Sequence, residues 1–341
     1  MARTLTHTDP AARVTLPALL AAATDSLHAR GLEAVEIVAA RASRGTVTAR
    51  VTRRGSRSAF IAKWIAPDAP PRARGAFENE ARFYSGWQTG VPAPEPIEVD
   101  TDVIVLADAG GRTLAAMLLD AGRRPDAERA ADIRHELRVA FDAVAGWIAT
   151  GLETSGTTDR AALERRLAAL RVILASGGSD VGSPIAAVGA ALERATRPGF
   201  AATVGPAITS EPRLAAIGRA HGALDGANVL LSRDRGGLLL DFGAWSDSGS
   251  VILDAVHAVA TSLVATSSRP GLWALVRNTA EAALERQPMV APIAGSIVSL
   301  AVTLEPIGRQ NPGLNRGANP RLVMRERLAL LRSAVPRNRG R

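Results

Sequence analysis

Lys63 is the single lysine of a 341-residue chain in which lysine and arginine together number 41. Arginine serves almost everywhere a cation is wanted. The one ammonium therefore marks a place for a compact point charge on a thin stem, where a planar guanidinium fork fits less well. A narrow cleft that holds a phosphate is such a place. Lys63 stands in Ser58-Ala59-Phe60-Ile61-Ala62-Lys63-Trp64-Ile65, an apolar run of strand character. Glu80 lies on the next helical stretch, where a carboxylate can pair with the ammonium and hold it against nucleotide phosphates. Farther on, Asn228 precedes the apolar segment Val229-Leu230-Leu231, and Asp241 follows a second one, Leu238-Leu239-Leu240. If those segments pair as a hairpin, the amide and the carboxylate share one end. Two oxygen ligands there suit Mg2+, which takes carboxylate, amide and phosphate oxygens. A lysine–glutamate pair and an Asn/Asp metal pair are parts of phosphoryl transfer.

The elements that must position these residues are legible in outline. The first 35 residues read as a helix ending at Gly31, and Val35 to Ala40 as a short strand. Val47, Ala49 and Val51 alternate with Thr46, Thr48 and Arg50, which is period two. Arg53-Arg54-Gly55-Ser56 is a turn into the lysine strand, Ala59 to Ile65. Pro67, Pro70 and Pro71 break the chain before a helix over about Ala73 to Trp87, with Phe77, Ala81 and Tyr84 on one stripe. Val91-Pro92-Ala93-Pro94 is an extended linker. Asp102 to Ala107 is a strand closed by Gly110-Gly111.

Helices dominate from Thr113. Ile133, Leu137, Phe141, Val144 and Ile148 recur as a helical face, and Leu163 to Ala175 is a second periodic helix. Arg213 to Ala220 reads as a helix leading into His221. The hairpin around Ser232 to Gly237 follows, and helices return from Val251. The division falls near residues 107–112. Residues 1–107 are expected to form a β-rich unit that binds nucleotide. Residues 108–341 are expected to form a helical one, ending in a basic segment over 316–341.

Hydrophobic content of 47% with 22% charged residues is that of a globular chain. The absence of cysteine excludes disulfides, thiolate metal sites and cysteine nucleophiles, and fits a reducing cytoplasm. Asp9, Arg13, Asp25 and His28 frame the apolar run Thr15 to Ala23 as an amphipathic helix, not a leader. No run of about 18 apolar residues is present, so no membrane span is expected. The formal charge is +8, and residues 316–341 carry eight arginines against Glu326. No aromatic side chain lies among them to stack on bases, so the expectation is a solvated basic helix, not a nucleic-acid site.

Taken in order, Lys63, Glu80 within Glu-x-x-Phe-Tyr, His221-Gly222-Ala223-Leu224-Asp225-Gly226-Ala227-Asn228 and Asp241-Phe242-Gly243 resemble the aminoglycoside phosphotransferase and choline kinase-like family, relatives of the protein kinases. The family's loop reads His-Gly-Asp-Leu-His-x-x-Asn. The likeness covers about residues 40–265. It implies an α+β protein kinase-like fold of two lobes, the smaller with an antiparallel sheet and the larger helical. It implies ATP and Mg2+ as cofactors. Lys63 would meet the α- and β-phosphates, oriented by Glu80, while Asn228 and Asp241 would hold the metal. Backbone of Leu106, Ala107 and Asp108 would meet adenine, and the turn Ser43-Arg44-Gly45 would cover the phosphates. That turn has one glycine where a Gly-rich loop would have several, so a plain hairpin turn is an equal reading. His221 would fix the loop, and Asp254, thirteen residues after Asp241, resembles a structural Asp of the family.

The departures bear on function. Where the family has its catalytic Asp, this chain has Ala223, which can neither accept a proton nor orient a hydroxyl. Where the family has its second His, this chain has Asp225. Two readings follow: a nucleotide-binding pseudokinase that senses nucleotide or scaffolds a protein partner, or an active kinase for a small hydroxylated metabolite using Asp225. Trp245 reads as core or as a wall of the acceptor side, and Asp247 as part of a solvated loop. The acceptor itself is not readable. A chain at +8 suits polycationic aminoglycosides poorly, and a sugar or amino alcohol is an equal expectation.

Overall fold

The period-two pattern of Thr46 to Arg53 forms the second strand of a five-stranded antiparallel sheet. The structure is a computed structural model that describes residues 15–56, 58–122, 129–155, 216–299 and 301–302. Leu163 to Ala175 and the basic segment 316–341 lie outside the described residues. The chain divides into two compact units, one of residues 1–89 and 94–108, the other of residues 90–93 and 109–341.

In the first unit, α1 (Leu16–Ala29) starts at Thr15, whose side chain accepts from the Ala18 amide. β1 (Leu32–Arg41), β2 (Thr46–Arg53) and β3 (Ala59–Ile65) follow, then α2 (Pro71–Ser85), β4 (Pro96–Val99) and β5 (Val103–Ala107). The strand order is β1-β2-β3-β5-β4, with every pairing antiparallel. Alternation decides what each face carries. Val47, Ala49, Val51, Ala62, Trp64, Val103 and Val105 turn to one face and bury Leu19, Ala23 and Leu27 of α1. Lys63 must then point to the other face, opposite Thr48 on one side and Ile104 on the other. The helix that follows, α2, begins at Pro71, earlier than the expected 73, because proline is well suited to a first helical turn.

In the second unit, the short β6 (Arg112–Thr113) leads into α3 (Leu114–Ala121) and α4 (Arg129–Glu153). The face expected from periodicity is the buried one: Ile133, Leu137, Phe141, Val144 and Ile148 are all in the core. β8 (Val229–Ser232) and β9 (Gly236–Leu239) form the expected hairpin, with β6 on the outer side of β8. α5 (Val251–Thr266) and α6 (Pro270–Glu285) pack against α4.

One expected element changes type. Of the helix expected over Arg213 to Ala220, residues 213–215 lie outside the described residues, and Ile217–Ala220 is instead a strand, β7, paired antiparallel with β10 (Ser246–Ser250). Asp247 accordingly sits on β10 and not in a loop, although it is exposed as expected. Pairing, not local preference, decides this segment, as is usual for short strands.

Candidate functional site

Glu80 is a carboxylate in the buried stripe of α2, beside Phe77, Phe83 and Tyr84. Ala81, expected on that stripe, is only half-buried. A buried carboxylate is costly unless it is paired. Lys63 supplies the pair: its Nζ donates to Glu80 Oε1 at 2.6 Å and to Oε2 at 2.7 Å. The lysine side chain keeps 23% of its exposure against 5% for the glutamate. The carboxylate is thus enclosed while the lysine side chain stays partly exposed.

The turn between β1 and β2 lies at the sheet end toward which Lys63 stands, since Thr46 pairs with Ile65. Ser43 and Arg44 are exposed there. Gly45 is left-handed (φ +62°), and its carbonyl accepts from the Ala66 amide at 2.8 Å. A Cβ on Gly45 would come within 3.0 Å of the Ala69 Cβ, so the turn is packed against the connection to α2. At the far end of β5, Leu106 pairs with Ile61, and the Ala107 amide donates to the Glu95 carbonyl at 2.9 Å. Asp108 accepts from Arg50 Nε at 2.8 Å, and the same guanidinium reaches Glu36 at 2.6 Å. Arg50 was not singled out in the sequence. The signal was available, because period two puts it on the sheet face of Lys63.

In the second unit the loop 221–228 is held from beneath. Asp254 of α5 is fully buried and accepts from the amides of His221 (2.5 Å) and Gly222 (3.0 Å) and from Trp147 Nε1 (3.2 Å). This is the structural place the resemblance implies for Asp254. Trp147 is the partner that sequence reasoning missed; its one signal is a place on the apolar side of α4. Gly222 is left-handed (φ +82°), and a Cβ there would lie 2.1 Å from the Ala244 carbonyl, so no other residue fits. His221 is buried against the Phe242 ring, 4.6 Å between centroids, with Nε2 2.8 Å from the Leu240 carbonyl.

Asn228 and Asp241 are brought to one end of the hairpin. The Leu240 amide donates to the Asn228 carbonyl at 2.9 Å, closing the ladder just before Asp241. Asn228 Nδ2 donates to the Ala223 carbonyl at 2.8 Å, which leaves Oδ1 as the free end of that amide. Asp241 is exposed and, among the described residues, is the one non-glycine with positive φ (+63°). Strain of that kind is held where the surroundings fix it, often at functional sites. An amide oxygen and a carboxylate are a donor set that fits Mg2+, which keeps several waters and takes phosphate oxygens.

Asp225 turns back into its own loop. Its Oδ1 accepts from the amides of Ala227 (2.8 Å) and Asn228 (3.2 Å). Desolvation pushes its carboxyl above the ordinary range; the two amides pull it back, and the charge of Asp241 adds to the rise. Trp245 is half-buried in the turn before β10.

Burial sets two opposed titrations under the loop. Desolvation lowers the His221 imidazole from 6.5 to about 4, and desolvation raises the Asp254 carboxyl from 3.8 to about 6. The depressed base contributes stability present above pH 6.5 and lost as pH falls through 4. The raised acid contributes stability present below 3.8 and lost as pH rises through 6. Between those values the slopes oppose each other, so the pair leaves stability nearly flat. Asp254→Asn removes one slope. Its urea midpoint is expected to fall on acidification from pH 6.5 to 4.5 more steeply than that of the wild type, and parallel curves would refute the assignment.

Known protein families contain no pattern that the chain matches, and no curated protein matches it. Solved structures do. A thermostable mutant of aminoglycoside phosphotransferase in its apo form is 13% identical, with 91% of this chain and 98% of that chain covered and a TM-score of 0.49. Macrolide 2'-phosphotransferase from Brachybacterium faecium is 14% identical over 91% and 97% of the chains, TM-score 0.40. Plasmodium vivax ethanolamine kinase is 10% identical over 91% and 85%, TM-score 0.47. Likeness at such identities and TM-scores carries no argument about this chain. The roles of individual residues rest on the geometry above.

Proposed function

We propose that this chain binds ATP with Mg2+ through a kinase-like site and is impaired in phosphoryl transfer to a hydroxyl because Ala223 occupies the place of the catalytic carboxylate. The observation that carries the reading is the bidentate Lys63–Glu80 pair, a buried carboxylate holding a partly exposed lysine on the sheet face opposite α1. Lys63 would meet phosphate oxygens, and Asn228 and Asp241 would hold the metal. Bound magnesium would neutralise charge on the phosphates. The Ala107 amide is taken by Glu95, so recognition of adenine by residues 106–108 would use other backbone groups of that segment. Ser43 and Arg44 are exposed and able to meet a phosphate, with Gly45 fixing the turn.

Around Ala223 the loop is held by hydrogen bonds from several sides, which supports the reading. His221, Gly222, Asn228 and Asp254 are all tied to it or through it. The proton acceptor is missing, which supports a pseudokinase that keeps nucleotide. General base assistance contributes on the order of 10²–10⁴-fold, while positioning and electrostatics account for most of phosphoryl transfer. Loss of the carboxylate therefore cripples transfer without removing the reason to bind.

Thermal unfolding with ADP or ATP and Mg2+ tests the binding. Nucleotide at about 100 times its dissociation constant is expected to add about 2.7 kcal/mol of stability. Lys63→Ala and Asp241→Ala should each reduce that gain. An unchanged melting temperature up to millimolar nucleotide would overturn the reading.

A further inference from the structure

Asp225 is the one charged residue inside the loop between Ala223 and Asn228, and it is half-buried. Its Oδ1 takes the amides of Ala227 and Asn228, while its own backbone carbonyl accepts from the Asn228 amide at 3.0 Å. A wider span, residues 223–228, is closed by Asn228 Nδ2 on the Ala223 carbonyl. It is fastened from outside where the Ala115 amide of α3 donates to the Gly226 carbonyl at 2.8 Å. Each of these bonds bears on Asn228 or on its neighbours. They fix the backbone at Asn228, whose NH2 is turned to the Ala223 carbonyl.

We propose that Asp225 is a positioning residue for Asn228: its carboxylate clamps the 225–228 turn so that the Asn228 amide presents its oxygen toward a divalent cation. The proposal rests on the nucleotide–magnesium reading above and assigns Asp225 a part other than that of a displaced base. Oδ1, occupied by two backbone amides, is poorly disposed to take a substrate proton, so a base at this position would have to act through Oδ2. Two amides need an acceptor but not a charge, and a carbonyl oxygen serves them as well as a carboxylate. The neutral isostere separates the two parts. As a clamp, Asn at 225 works; as a base, it fails.

The first measurement needs no ligand. Amide hydrogen exchange of Ala227 and Asn228 in the free full-length protein should quicken by about tenfold or more in Asp225→Ala and stay near wild type in Asp225→Asn. Unchanged exchange in Asp225→Ala overturns the clamp whatever nucleotide does. The second measurement is titration of ADP with and without Mg2+. Groups that orient metal ligands typically contribute 10–100-fold to metal affinity. Asp225→Ala should lose about tenfold or more of the Mg2+-dependent gain in ADP affinity while its metal-free affinity stays put, and Asp225→Asn should restore the gain. Equal loss in both variants would make the charge itself essential and overturn the clamp in favour of direct ligation. If the wild-type protein binds no ADP at all, the nucleotide reading fails. In that case the exchange measurement still decides whether Asp225 fixes the turn.

Discussion

Ala223→Asp is expected to raise phosphoryl transfer to a hydroxyl acceptor by about 10²-fold or more over the wild type, with nucleotide affinity little changed. The measurement is ATP-dependent transfer to a panel of sugars and amino alcohols, read as ADP released with acceptor minus ADP released without. The expectation follows from what surrounds position 223. Its amide donates to His221 Nδ1 at 3.4 Å, and its carbonyl is held by Asn228 Nδ2. The backbone is therefore fixed on both sides, and a side chain added there needs no new support. Asp225→Asn completes the test. Robust wild-type turnover that vanishes in Asp225→Asn would show that the chain already has a base, and would replace the pseudokinase reading with that of an active kinase.

Asp254→Ala is expected to lower stability by about 3 kcal/mol or more. Three donors share that carboxylate, from His221, Gly222 and Trp147, and each buried donor deprived of its acceptor costs roughly 1–3 kcal/mol. Relief from burying an anion offsets part of the loss, since desolvation already raises that carboxyl to about 6. Asp254→Asn should cost less, because one oxygen remains to accept; its NH2 would meet a donor on the other side. Urea unfolding with an unchanged slope measures both. A loss under about 1 kcal/mol for the alanine variant would mean that the loop is held by other contacts.

Much of this site was legible because its chemistry is rare in the chain. One lysine among arginines on an apolar strand needed a partner, and the next helix offered Glu80. Two apolar triplets flanking a polar turn predicted the hairpin, and the hairpin brought Asn228 and Asp241 together without further assumption. Other features depend on distant pairing. β7 was read as a helix because Leu214, Ala215, Ala216 and Ile217 favour one, and its partner Ser246–Ser250 carries no strand signal. β4 (Pro96–Val99) carries no strand signal, because it begins at Pro96, just past the extended linker Val91 to Pro94. It lies at the sheet edge, where proline at a first strand position is tolerated. The engagement of Asp225 was illegible for a third reason: its partners are backbone amides, which every residue has, so only the local path of the chain selects them.

The loop that holds Ala223 from both sides also sets a genetic distance. A middle-base change turns the alanine codons GCU and GCC into aspartate codons and GCA and GCG into glutamate codons, so a single nucleotide change in the gene would put a carboxylate at this position. Had the surrounding loop drifted, many changes would separate the chain from one that carries that group. Because Gly222, Asn228 and Asp254 keep the loop in place, the step is short in either direction. Selection on such a gene acts on one base pair.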